Sequence, residues 1–369
     1  MFTAPGFEGV AAAFARNFSE HGEKGAAFAA YHDGELVVDL WGGVADPASG
    51  RPWREDTLQL IFSGTKGMST ACVLLLAERG ELDLDAPAVA YWPEFGARGK
   101  DRTTVMEVLS HQARLPGIQV PFADQLDPRG MAALLAAAEP LDDPRAAFTY
   151  HAITWGWLVG ELVLRVDGRT IGAFFDEEFA RPLGLEFWIG LPDELHPRVA
   201  TMVPGPGILA EQPPTGDPLR DLVRNPLLTP DAPARWNSPE FRRAEFAAVG
   251  GHGTARSIAR FYACLARGGE LDGVRVLGEE TVDRARREVR RGVEPLWDKP
   301  MAYGAGFELQ TELRGFGPPT DAYGHAGAGG SRHGAWPAAR VGFSYVMNEP
   351  RGMPDPRATG LLNALSDAL

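Results

Sequence analysis

Apolar residues recur at helical spacing in the opening stretch "MFTAPGFEGVAAAFARNF", with Arg16 among them, and the pattern predicts an amphipathic surface helix. The next stretch, "AAFAAYHDGELVVDLWGGVA", holds two β-rich runs joined by His32-Asp33-Gly34-Glu35, a strong hairpin signal. Near the far end, "YGAGFELQTEL", "AYGHAGAGG" and "RHGAWPAARVGFSYVMNEP" read as three or four short strands. The last pair turns at Pro337-Ala338-Ala339-Arg340, and a helix at about 358–369 closes the chain.

Between these ends the period changes to that of helices. "MSTACVLLLAERG" stops at Gly80, "TVMEVLSHQARL" starts with the capping-box pattern Thr104-x-x-Glu107, and "ITWGWLVGELVLRVDG" and "TIGAFFDEEFARPLG" follow. Strands at both termini around a helical middle predict an α/β (α+β) protein whose one sheet is built from both chain ends and flanked by helices. The expected division is a discontinuous sheet domain, 1–66 with 245–369, and a mainly helical insert, 67–244. Residues 203–239 contain nine prolines and no clear period. A stretch that long without periodicity is expected to be an ordered loop at the mouth of a site or a linker, and Trp236 and Phe241 give it apolar anchors.

Composition narrows the function. Net charge is −13 and no Lys/Arg cluster interrupts the acidic balance, so nucleic acid is not an expected partner. No run approaches the roughly 18 apolar residues of a membrane span, and no basic n-region precedes an apolar h-region. The expected location is cytoplasmic. Cys72 and Cys264 lie in apolar helical stretches without CxxC spacing or nearby histidines, which predicts buried free thiols and calls for neither disulfide, metal nor cofactor.

The chain has four lysines against thirty-two arginines, and one of the four, Lys66, stands three residues after Ser63 in "FSGTKG". On a helix starting at Ser63 this spacing puts the amine on the face of the hydroxyl. A serine becomes a nucleophile when a base takes its proton, and a lysine desolvated enough to lose its own can be that base, whereas arginine cannot. The plainer reading of the pair is an N-cap serine with a solvated lysine. Tyr150-His151-Ala152 precedes a strongly helical segment, where the phenol either joins a core or shares a proton with Lys66. In "GHAGAGGS", residues 324–331, four of eight positions are glycine. Glycine in a strand marks a close approach by ligand or backbone, which would place His325 at the start of a substrate edge and the Ala328 N–H at a developing oxyanion. A simple glycine-rich turn is the alternative.

Ser63-x-x-Lys66, the Tyr150 motif and the His325-Ala326-Gly327 strand, in that order, resemble the serine β-lactamase and penicillin-binding-protein superfamily. "LSHQARLPG" is similar to its "LLSHTSGLP" stretch, and "GGHGTARSIARFYACLARGG" to its "STARDLARF" helix. The resemblance covers nearly the whole chain and implies the fold inferred above. It makes Ser63 the acylated nucleophile, Lys66 its proton partner and Tyr150 the base that activates Ser63 and later the deacylating water. His325 and Gly327 take the place of the Lys-Thr-Gly motif, and the N–H groups of Ser63 and Ala328 form the oxyanion hole.

Two departures point within the superfamily. Ala152 stands where an asparagine amide usually holds the substrate, and His325 replaces a lysine that helps bind a carboxylate. The resemblance therefore implies the class C β-lactamase-like carboxylesterase branch, family VIII, acting on small-molecule esters through an acyl-enzyme, with acyl transfer to an alcohol as a variant. β-Lactamase or D-amino-acid peptidase activity, and a non-catalytic binding protein on the same fold, are the rival functions. Trp155 and Trp336, with Trp157 and Phe187, are candidate pocket walls or core residues. Ser331 beside His333 lacks the GxSxG pattern, and Ser110-His111 reads as packing and capping at a helix end.

Overall fold

Asp33 and Gly34 both take positive φ, 53° and 94°, and the chain reverses there so that Gly25–His32 pairs antiparallel with Glu35–Asp46. The computed structural model describes residues 1–369. Alternation along the first strand splits its side chains between two cores: Ala27, Ala29 and Tyr31 join one cluster and Ala26, Phe28 and Ala30 the other. On its other edge this strand meets Val341–Met347, in register from His32 opposite Val341 to Ala26 opposite Met347. The two ends of the chain are therefore hydrogen-bonded neighbours.

From that seam the antiparallel sheet continues through Arg332–Trp336, Tyr323–Ala326, Glu308–Leu309, Lys299–Tyr303 and Arg290–Glu294, for ten strands in all. The turn at Pro337–Arg340 closes as expected, with Arg340 at φ 53°. Helices Glu8–Ser19 and Arg357–Asp367 cover one face through Val10, Phe14, Leu361 and Leu365. Helix Ala255–Ala266 covers the other, so close that a Cβ on Gly342 would stand 2.0 Å from the Ala263 nitrogen. The fold is mixed α/β, with one large antiparallel sheet flanked by helices.

The helical part centres on Thr65–Glu78, buried on all sides from Thr65 to Leu76 and packed against Thr154–Asp167. Its first turn is entered through a 3₁₀ turn, Phe62–Gly64, so Ser63 stands at the helix entrance rather than within it. The Thr104–Glu107 capping box forms as expected, but its helix ends at Leu109 instead of running to Leu115. There Ser110 bonds back to the Met106 carbonyl and His111 turns to φ 64°, a left-handed step that ends the helix. The stretch after Thr170 also departs from one regular helix: it widens to a π turn over Asp176–Ala180 before Gly184 stops it.

Short helical turns occupy 203–239, and the expected anchors hold them. Trp236 is buried, donates from Nε1 to the Leu227 carbonyl and packs edge-on against Phe62, ring centroids 5.5 Å apart. Cys72 and Cys264 are buried and free. No helix is long and apolar enough to cross a membrane.

A buried polar knot joins the two ends beneath the sheet. Arg357, fully buried, pairs with Glu23 at 2.6 Å and Asp355 at 2.8 Å and donates to the Glu349 carbonyl, while the Tyr345 hydroxyl bonds to Glu23. Burial raises the Glu23 carboxyl pKa, and the Arg357 charge opposes that rise. Removing one partner of such a pair strands the other. Arg357→Leu is expected to lower unfolding free energy by about 3–5 kcal/mol in urea titration, and a change below about 0.5 kcal/mol would contradict this account.

Candidate active site

Ser63 is presented by a strained turn. Phe62, just before it, holds φ 46° with its ring against Trp236, and Gly64, just after, leaves no room for a side chain: a Cβ there would lie 2.5 Å from His333 Cδ2. His333 is itself fixed by Ser344 Oγ, 2.8 Å from its Nδ1. The turn is thus clamped between the proline-rich segment and the sheet, and Ser63 stays half-buried at its apex.

Lys66 follows one turn into the helix and has no measurable exposure. Its Nζ lies 3.2 Å from Ser63 Oγ, 2.8 Å from the Ala152 carbonyl oxygen and 3.2 Å from that of Ala248. Burial drives the ammonium pKa well below its ordinary value, and the Glu308 charge acts in the opposite direction. Three acceptors thus surround the nitrogen, and an amine that had lost one proton would keep its two hydrogens on the carbonyls and turn its lone pair to Ser63. The position expected to lack a substrate-holding amide, Ala152, therefore contributes its main chain instead.

Tyr150 stands over the same amine, its ring centre 4.8 Å from Nζ. Burial raises its phenol pKa above the ordinary value, while a hydrogen bond to Ser63 pulls the other way. Around it pack His111, with ring centroids 4.6 Å apart, Tyr303 at 6.3 Å and His325 at 6.2 Å. His111 Nδ1 accepts the His151 N–H at 3.1 Å, and the His151 ring is held between the Thr149 carbonyl and the Leu115 N–H. The Ser110-His111 pair thus does the packing expected of it, with the added effect that the histidine supports the phenol.

The strand Tyr323–Ala326 brings the remaining groups. Gly327 passes so close to the turn that carries Ser63 that a Cβ would stand 2.3 Å from the Ile61 carbonyl oxygen, and Ala328 is the next residue along the chain. Neither the Ser63 nor the Ala328 N–H meets an acceptor of the chain. His325 donates from Nδ1 to the Ala326 carbonyl at 2.9 Å, and burial pushes its pKa down to about 3, so the ring is neutral at physiological pH. Glu308, on the neighbouring strand, accepts the Ala326 N–H at 3.3 Å.

Ser63, Lys66, Tyr150, Ala152, His325 and Gly327 therefore meet in one place, with Ala328 following Gly327 in the chain. Two proposed pocket residues do not. Trp336 points into the core on the opposite face of the sheet, its Nε1 bonded to the Phe316 carbonyl, and Trp155 lies behind Lys66 with no exposed surface and its Nε1 on the Leu109 carbonyl. Strand and helix periodicity turned both away from solvent. Phe187 is core, and Trp157 stacks on Phe246. Ser331 and His333 form no pair, because the imidazole is committed to Ser344. Sequence reasoning missed Glu308 and the Arg290–Tyr303 hairpin, whose Trp297 ring lies 5.4 Å from that of Tyr150.

A mixed sheet-and-helix fold with this cluster between its parts defines a hydrolase of the β-lactamase/transpeptidase-like fold. The chain belongs to the Beta-lactamase family, whose model matches residues 11–368. It is 37% identical over 353 residues to the Esterase/beta-lactamase LipL of Mycobacterium tuberculosis (strain ATCC 25618 / H37Rv), covering 93% of this chain and 81% of that protein. Two solved structures, each 37% identical, cover all of this chain and 99% of theirs. One is a penicillin-binding protein homolog from Caulobacter crescentus, TM-score 0.92, and the other a family VIII carboxylesterase, TM-score 0.90.

The Gly327 contact gives a direct check of the geometry. Gly327→Ala is expected to push the strand from the nucleophile turn and to lower turnover of an ester substrate by at least about tenfold with circular dichroism unchanged. Wild-type turnover in that variant would show that the close approach is not needed.

Proposed function

We propose that the protein is a carboxylesterase-type serine hydrolase that forms an acyl-enzyme on Ser63. The observation that carries this reading is the fully buried Lys66 amine at 3.2 Å from Ser63 Oγ, with two backbone carbonyls to take its hydrogens. The resemblance to the superfamily assigns the base to Tyr150, but burial acts oppositely on the two groups, keeping the proton on the phenol and removing it from the amine. In this reading Lys66 is the base.

Ser63 Oγ attacks the ester carbonyl carbon while its proton passes to Lys66 Nζ. The tetrahedral oxyanion is met by the N–H groups of Ser63 and Ala328. As the carbon–oxygen bond to the alcohol breaks, Tyr150 gives its proton to the departing oxygen and regains one from Lys66. Water then attacks the acyl carbon by the same route reversed, releasing the acid and restoring Ser63. With an alcohol in place of water the product is a new ester.

Preference for esters over β-lactams or D-amino-acid peptides is supported by the neutral His325, which offers no positive charge to a substrate carboxylate. Ala152 likewise provides no side-chain amide. The family VIII carboxylesterase neighbour supports this choice, while the esterase/beta-lactamase relative carries both activities in its name.

The test is turnover of p-nitrophenyl acetate or butyrate together with labelling of Ser63 by a fluorophosphonate. Absence of both would overturn the reading, and rapid nitrocefin hydrolysis with little ester activity would replace it with a β-lactamase. Lys66→Arg is expected to keep the fold and abolish turnover, since charge remains and deprotonation is lost.

Dependence on pH follows from the same amine. Only its neutral form accepts the serine proton, so kcat/KM rises with pH through the depressed Lys66 pKa and levels above it. The Glu308 charge favours the protonated form, so Glu308→Gln is expected to move this acid limb to lower pH. A limb that moves upward would exclude Lys66 as the base.

A further inference from the structure

The hairpin of Arg290–Glu294 and Lys299–Tyr303 forms the outer edge of the sheet and carries Trp297 in its turn. This indole keeps 48% of its surface exposed, although its ring lies 5.4 Å from that of Tyr150 at an angle of 51°. Val293, 59% exposed, adds apolar surface on the same hairpin. Exposed aromatic area of this kind is unfavourable in water unless something apolar covers it during function.

The turn is held in place rather than left loose. Glu294 is 1% exposed, and its Oε2 accepts the N–H groups of Leu296 at 2.8 Å and Trp297 at 2.9 Å. Its Oε1 accepts the N–H of Tyr150 at 3.4 Å. One buried carboxylate thus ties the main chain carrying the indole to the main chain carrying the phenol. The strand beneath packs on the same aromatic group, with Phe148 against Tyr303 and Arg290 over the Phe148 ring.

We propose that Trp297 is the wall of a subsite for the alcohol portion of the ester, selecting apolar and above all aromatic alcohols, and that Glu294 is the positioning residue that fixes this wall to Tyr150. The proposal rests on the ester-hydrolase reading. In that reading Tyr150 protonates the departing oxygen, so the group attached to that oxygen lies next to Tyr150. Trp297 is the exposed aromatic surface there.

Ethyl, phenyl and 1-naphthyl acetate test this, because they share one acetyl-enzyme and differ only in the alcohol. Trp297→Ala is expected to lower kcat/KM for the phenyl and naphthyl esters by about tenfold, chiefly through KM, with ethyl acetate falling less than about threefold. Trp297→Phe is expected to restore most of the aryl preference. Glu294→Gln keeps the shape but weakens the acceptor, and is expected to give a smaller loss with the same ranking of alcohols. Equal losses across the three alcohols, or a loss that follows acyl length among p-nitrophenyl esters, would overturn the subsite while leaving the hydrolase reading intact. Failure of the wild-type chain to label at Ser63 would overturn both.

Discussion

The structure depends on keeping one amine dry. Lys66 Nζ has two main-chain carbonyls and a serine hydroxyl for neighbours, and the opposing charge that acts on it comes from Glu308, a carboxylate engaged with the Ala326 N–H. Burial makes an ammonium costlier here than in water and draws its pKa well below the ordinary lysine value. The two carbonyls come from positions 86 and 182 residues further along the chain. A single nitrogen therefore records whether the helix, the Tyr150 segment and the segment ending at Ala248 have all packed correctly.

The other features of the site follow from that packing. The helix bearing Lys66 is buried on every side from Thr65 to Leu76, and the turn at its entrance can hold φ 46° at Phe62 because Trp236 presses on the ring. Gly64 and Gly327 are small where the turn meets His333 and Ile61. Strain at the nucleophile is thus maintained by contacts from the proline-rich segment and the sheet, which leave the serine no relaxed alternative.

Much of this was legible in the chain where a local signal coincides with the three-dimensional requirement. Asp33-Gly34 turns because both residues tolerate positive φ, and Lys66 is conspicuous because arginine serves elsewhere. Gly327 follows the expectation that glycine in a strand marks a close approach. What was not legible arises from distant packing. Trp155 and Trp336 look like pocket residues in a list of aromatics, yet each faces a core, and only the direction of the helix or strand decides that. The hairpin at 290–303 is charged and short, without the alternation that announces a strand. Burial among residues far apart in sequence shifts the Lys66 amine down and the Tyr150 phenol up, so a motif names the two groups without showing these opposite shifts.

The seam between Gly25–His32 and Val341–Met347 has a consequence for how the protein comes into being. During synthesis the Gly25–Asp46 hairpin emerges well before its partner strand, Val341–Met347, and keeps one edge unpaired until that strand has been made. The loop closed by that pairing runs over residues 33–340, a long-range contact that slows assembly of the sheet and leaves an adhesive edge exposed in the meantime. The strand at 323–326, which supplies His325, joins the sheet through the same late strands. A chain lacking Val341–Met347 would leave the strand that carries His325 without its route to the Gly25–His32 strand, so the cluster around Ser63 is complete only after that late pairing.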